Sequence, residues 1–218
     1  MERLFKIRCS QLGKIMSNAK KEGELSQVCK TYLMDWYANE NTSVHSKYFD
    51  KGIMCEHEAI QFMADVLDFG IAEKNIEQKE NDFMTGCCDV NLSDCVVDTK
   101  CSWDKSTLQS NVTGIDKDYE WQGIGYLILY KKLKFILFYG LMDTDGSINF
   151  DEEVIYSEMP NEERWIAYQI QFTQEQLNSI EQKIYERVLE CRDWLREYDK
   201  LIRSRMGKLN VLAQSSFI

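Results

Sequence analysis

The stretch GCCDVNLSDCVVDTKC, residues 86 to 101, places Asp89 ahead of a short apolar run that ends in Asp98-Thr99-Lys100. Asp and Lys are poor strand formers, yet the surrounding Val, Leu and Cys residues read as two strands separated by the turn-type residues Asn91, Ser93 and Asp94. On such a hairpin Asp89 and Asp98 can face each other. Asp98 and Lys100, two apart, project from the same face of a strand. Two carboxylates and an ammonium within reach are the parts for binding Mg²⁺ and activating water against a phosphodiester. The acids supply hard oxygen ligands, the ion lowers the pKa of bound water, and the amine positions that water or offsets developing negative charge. On a wet sheet face the same residues would make only a cross-strand ion pair, so other segments must decide.

Three segments bear on the choice. In KGIMCEHEAIQFM, residues 51 to 63, Glu56 stands four residues after Gly52 on a helix that leads toward the sheet. It is a candidate third carboxylate; read plainly, Glu56 and Glu58 are the wet side of an amphipathic helix. In YEWQGIGYLILY, residues 119 to 130, Gln122 and Tyr126 stack one helical turn apart. The amide can hold a phosphate, a base edge or a water, and the tyrosine can brace it or pack into the core. Gly123 and Gly125 each cost about 1 kcal/mol in a helix relative to alanine, which implies a close approach. In RLFKIRCSQLGKIM, the cations Arg3, Lys6, Arg8 and Lys14 surround Ser10, a candidate N-cap, and helix N-termini with nearby cations bind phosphate.

These residues need a framework. Helices are expected at about 10–21, at 25–40 with Val28, Tyr32, Leu33 and Trp36 on one side, and at 47–68 with Ile53, Ala59, Ile60, Met63 and Val66 facing the core. Gly70 would end the third. Strands are expected in IAEKNI, DFMTGCCDVNL and CVVDTKCSW, then a helix over 116–131 and a buried strand in KFILFYGLM. EEVIYSE would pair with that strand after the DTDGS turn. Residues 161 to about 208 read as a long helical stretch, bent or broken at least once. It carries Trp165, Ile166, Ile170, Leu177, Ile180, Ile184, Val188 and Trp194 as apolar positions. The order predicts an α/β fold, a central mixed sheet flanked by helices, in a single domain over 1–218 with its core at about 1–156.

The 218 residues carry a formal charge of −10. Alone this disfavours a nucleic-acid partner, but binding follows local potential, and bound cations can reverse it. The eight cysteines include no C-x-x-C pair, and with His45 and His57 the only histidines a zinc site is not expected. They read as reduced, mostly buried thiols. The apolar runs YLILY and FILFYGLM are far shorter than the roughly 20 residues that span a bilayer, and the N-terminus has no signal-peptide core, so a cytoplasmic location is expected.

In this order, Gly52-x-x-x-Glu56, Asp89, Asp98-Thr99-Lys100 and Gln122-x-x-x-Tyr126, the chain resembles the PD-(D/E)XK nucleases, in particular the phage lambda exonuclease, or YqaJ-type viral recombinase, branch. The spacing Arg3-x₆-Ser10 is also similar to that branch, where such residues help hold a DNA end. The resemblance covers residues from about 3 to 145; the C-terminal helical region has no counterpart in the motif set. Cys88 replaces the usual proline and Asp98 the usual glutamate. A further acid upstream of Asp89 has no clean match, since Glu80 and Asp82 fall out of register. The spacing of the cysteines excludes the iron–sulfur version of the fold.

The resemblance implies a restriction-endonuclease-like core and one or two Mg²⁺ or Mn²⁺ ions. Asp89 and Asp98 would ligate through side chains, Thr99 through its carbonyl, and Glu56 directly or through water. Lys100 would orient and help deprotonate the attacking water, Gln122 would position substrate or water, and Arg3, Ser10 and Tyr126 would contact DNA. Lys131, Lys132, Lys134, Arg203 and Arg205 could line the DNA path. The implied activity is hydrolysis from double-stranded DNA ends, 5′-to-3′, in phage-type recombination beside a single-strand annealing protein, by a homo-trimer. An endonuclease on the same scaffold, or a catalytically silent DNA-binding or protein-interaction module, remains open.

Overall fold

The computed structural model describes residues 3–39, 46–150 and 152–207; His45 and Lys208 lie outside the described residues. The N-terminal segment forms strand β1 (Ile7–Arg8), a 3₁₀ turn (Cys9–Gln11) and a short helix α1 (Leu12–Met16). Two longer helices follow. In α2 (Gln27–Ala38) the Ser26 hydroxyl accepts from the Cys29 N–H, and in α3 (Lys47–Val66) Ser46 accepts from Phe49; each cap is worth about 1 kcal/mol. Two small strands, β2 (Lys79–Glu80) and β3 (Met84–Gly86), join β1 in a mixed sheet of order β1-β3-β2.

The larger sheet carries the chemistry. It runs β4-β5-β6-β7, with β4 at Val90–Asn91, β5 at Cys95–Cys101, β6 at Lys134–Gly140 and β7 at Trp165–Gln171. β4 and β7 are antiparallel to their neighbours, while β5 and β6 are parallel. Parallel neighbours need a crossover, supplied here by α4 (Lys105–Ser110) and α5 (Lys117–Tyr130). The strand period of two sends alternate side chains to opposite layers. Phe135, Leu137 and Tyr139 of β6 pack with α1, α2, α5 and the last helix, α6 (Gln174–Arg205). Ile136 and Phe138 pack instead with Ile60 and Met63 of α3. Gly123 lets α5 lie directly on the Phe135 ring, where a β-carbon would sit 2.3 Å from ring carbons.

Several expectations require correction. IAEKNI is not a strand but part of the connection between α3 and β2. EEVIYSE makes one bridge, Val154 to Thr144, rather than a hairpin with β6. The antiparallel partner of β6 is β7, whose residues had been read into the C-terminal helix. Trp165, Ile166 and Ile170 are therefore strand residues. Leu177, Ile184 and Val188 do form the buried stripe of α6. That helix opens on a capping box in which Thr173 and Gln176 satisfy each other's backbone N–H. Val28 and Ile53 are 54% and 60% exposed rather than core; Cys29 and Cys55 take the buried positions. α3 ends at Val66, before Gly70. Ser10 lies inside the 3₁₀ turn and caps nothing through its side chain. Among the described residues no helix is long and apolar enough to cross a membrane.

Candidate active site

Asp89 precedes β4, and its backbone N–H donates to Val97 O at 3.1 Å. This is one residue out of the Val90–Val97 register of the β4–β5 pair, a bulge-like step that brings the Asp89 side chain to the Asp98–Thr99 end of β5. The two acids expected to face each other across a hairpin are thus neighbours by a one-residue step at the end of the pair, not by direct cross-strand pairing. Oδ2 of Asp89 accepts from both the N–H and the hydroxyl of Thr99, at 2.6 and 2.9 Å. Asp98 is 2% exposed; its Oδ1 accepts from the Gln122 amide at 3.2 Å, while Oδ2 lies 2.5 Å from Lys100 Nζ. This ion pair with the ammonium is what compensates the buried Oδ2.

The electrostatics follow from burial. Removal from water, then the Asp98 charge, push the Asp89 carboxyl up to about 7, against the opposing bonds from Thr99. For Lys100 burial works downward, but the Asp98 carboxylate outweighs it and keeps the ammonium above its ordinary range. Lys100 therefore faces Asp98 as a cation, a donor that can orient a group and offset charge; it is not a base in this state. Its Nζ also lies 5.0 Å from the Tyr119 ring centroid.

A groove of about 470 Å³ opens over this edge of the sheet, lined by Asp89, Thr99 and Lys100 from the strands, Tyr119 from α5, and Gly52 and Glu56 from α3. Glu56 is not free: its Oε2 is in an ion pair with Lys74. Among the described residues no three His, Cys, Asp or Glu side chains cluster as a ready ion cage. The expected convergence of three acids is thus two neighbouring acids, with the third held across the groove by a lysine.

The donor set nevertheless suits a divalent cation. The two neighbouring carboxylates are hard oxygen donors, and the repulsion between them that raises the Asp89 carboxyl is what a positive ion would relieve.

The remaining candidates divide. Gln122 is buried, and its amide bonds Asp98 and, at 2.7 Å, the Tyr126 hydroxyl. Its amide is thus turned to Asp98 and Tyr126 and not to the groove lining. Tyr126 is 4% exposed in the core, so the expectation that it touches DNA is replaced by the bracing role. Arg3 stacks over Trp36 at 4.3 Å and donates to Asn39 Oδ1 at 2.7 Å. Ser10 is exposed in the turn whose Cys9 packs against Gly125. Lys134 pairs with Asp94 and Lys132 donates to Ser93 O. They sit at the start of β6, beside Cys95, whereas Asp98 and Lys100 are toward the far end of β5. At about 3.3 Å per residue this places them well away from the groove. Arg203 is paired with Asp199. Glu80 and Asp82 are exposed, and Glu80 pairs with Lys6 at 3.3 Å. Tyr119, Lys74 and Thr99's side-chain role escaped sequence reading; only Tyr119 had a signal, its place one turn before Gln122.

No family model matches the chain, and no curated protein matches it in sequence. Solved structures do. A phage-related exonuclease from Haemophilus somnus 129PT superposes with a TM-score of 0.76 at 27% identity, covering 93% of this chain and 97% of its own. An alkaline exonuclease from Laribacter hongkongensis, LHK-Exo, gives 0.66 at 14% identity over 94% and 96%; its complex with dAMP gives 0.65 at 13%.

Proposed function

We propose that this chain, which has the fold of the lambda exonuclease branch of the PD-(D/E)XK nucleases, is a metal-dependent exonuclease acting on double-stranded DNA ends. The observation that carries the proposal is the closeness of the Asp89 and Asp98 carboxylates beside the Lys100 ammonium, with Asp89 and Lys100 lining an open groove. The similarity to a phage-related exonuclease over nearly the whole chain supports the reaction class. The LHK-Exo complex with dAMP supports a nucleotide as the ligand type.

In this reading Asp89 and Asp98, with the Thr99 carbonyl, hold Mg²⁺ or Mn²⁺, and Glu56 joins them directly or through water. The bound ion supplies a Lewis acid that lowers the pKa of water and neutralises phosphate charge. Gln122 fixes the Asp98 carboxylate by bonding Oδ1, so that Oδ2 is the oxygen turned toward Lys100. Lys100 directs its N–H groups at the attacking water and at the negative charge that grows on the phosphate. For Lys100 to accept a proton, its contact with Asp98 must first be weakened. The 5′-to-3′ polarity, a trimeric ring, a role in phage-type recombination and a single-strand annealing partner follow from the family resemblance and belong to the same proposal.

The test is digestion of a 5′-phosphorylated linear duplex beside a covalently closed circle, with Mg²⁺, by the parent, Asp98→Ala and Lys100→Ala. Digestion of the linear substrate alone, lost by orders of magnitude in both folded variants, is expected. Parent-like rates in either variant overturn the assignment, and cutting of the closed circle replaces the exonuclease with an endonuclease.

A further inference from the structure

One carboxylate of the proposed ion site already has a cation. Glu56 is paired with Lys74, which comes from the connection between α3 and β2 and belongs to no motif in the sequence. That connection is firmly anchored on both sides of Lys74. On one side Gln61 of α3 donates to Ala72 O at 2.8 Å, and Ala72 is buried. On the other, the Asn75 N–H donates to Asp89 O at 2.6 Å, and the Asn75 amide donates to Cys88 O at 3.0 Å and to the Tyr130 hydroxyl at 2.8 Å. These bonds bring the backbone next to Lys74 against that of Asp89, the central acid. The Lys74 side chain itself remains half-exposed.

A divalent ion that takes Glu56 as a ligand competes with this ammonium for the carboxylate. We propose that Lys74 is a further positioning residue of the site: it holds Glu56 until a cation claims that carboxylate, and the exchange frees its ammonium for the phosphates of DNA lying in the groove. The inference rests on the nuclease reading of the site. Its physical content is competition between two cations for one carboxylate. While Lys74 is in place, Glu56 does not add its charge to that of Asp89 and Asp98. A lysine suits the task because its compact charge rides on a flexible stem. A partly exposed pair of this kind should weaken binding of the free ion by about two- to five-fold.

Calorimetric titration with Mn²⁺, in the absence of DNA, tests this in a double-mutant cycle of Lys74→Met and Glu56→Gln. Lys74→Met should tighten Mn²⁺ binding by about two- to five-fold when Glu56 is present and by clearly less in the Glu56→Gln background, where only the weaker pull of the ammonium on Asp89 is removed. Lys74→Gln, which keeps a polar tip, should behave as Lys74→Met does. Unchanged affinity in both single lysine variants, or equal tightening in both backgrounds as a general charge effect gives, overturns the inference and leaves the ion site standing. No Mn²⁺ uptake by the parent in the millimolar range overturns the ion site itself, and this inference with it.

Discussion

Replacing Asp89 by asparagine should make the protein more stable when no divalent ion is present, and the gain should depend on pH. Burial and then the Asp98 charge raise the Asp89 carboxyl from 3.8 to about 7. The folded state therefore keeps a proton that the unfolded chain has given up. Stability falls as pH rises through the window from about 4 to about 7 and stays low above it. At about 1.4 kcal/mol per pH unit the whole rise amounts to about 4 kcal/mol. Asp89 is partly exposed, and solvent screening reduces this to about 2 kcal/mol. Asparagine keeps a carbonyl oxygen for the two Thr99 donors that now bond Oδ2, so the substitution removes charge with little loss of bonding. For a chain of this size 2 kcal/mol corresponds to roughly 4–8 °C in Tm. The assay is thermal unfolding by circular dichroism in EDTA, at pH 8.5 and at pH 4.5. Asp89→Asn should melt higher than the parent at pH 8.5, with most of the advantage gone at pH 4.5. A variant no more stable than the parent at pH 8.5, or an advantage that does not shrink in acid, refutes the electrostatic account of the neighbouring acids.

Three further substitutions probe the supports of the site. Gln122→Met leaves Asp98 Oδ1 and the Tyr126 hydroxyl without their amide partner in the core. It should cost about 2 kcal/mol in urea unfolding and depress DNA cleavage with it. Gly123→Ala would place a β-carbon 2.3 Å from Phe135 ring carbons, and overpacking of this kind should cost about 1–3 kcal/mol in the same measurement. Gly52→Ala meets nothing within 4 Å and, in the interior of α3, should stabilise the fold by about 0.5–1 kcal/mol; a lower urea midpoint contradicts it.

What the sequence made legible was local. Asp98 and Lys100 share a face because a strand repeats every two residues, and the return of Asp89 to the Asp98–Thr99 end of β5 followed from a short turn between the strands. Gln122 and Tyr126 meet because they are one helical turn apart. β7 was missed because WIAYQIQ lies between charged segments. Its Trp165, Ile166 and Ile170 fit a helical stripe as well as they fit alternation. Only its seven-residue pairing with β6 decides the matter. Ile53 was placed in the core because its spacing fits the α3 stripe; it lines the groove instead, where an exposed apolar side chain has a use. Lys74 could not be foreseen, because its position depends on Asn75 and Ala72 anchoring a connection that has no periodicity of its own. The convergence of Glu56 with the two aspartates was overstated for the same reason: motif order gives the ligands but not the cation that occupies one of them.

On the proposed function, Asp89 and Asp98 share one divalent ion beside Lys100. Anomalous diffraction from crystals soaked in Mn²⁺ tests it directly. A peak is expected within ligand distance, about 2.0–2.6 Å, of a carboxylate oxygen from each aspartate. Saturating Mn²⁺ with no peak between them, or with the ion bound elsewhere, contradicts it.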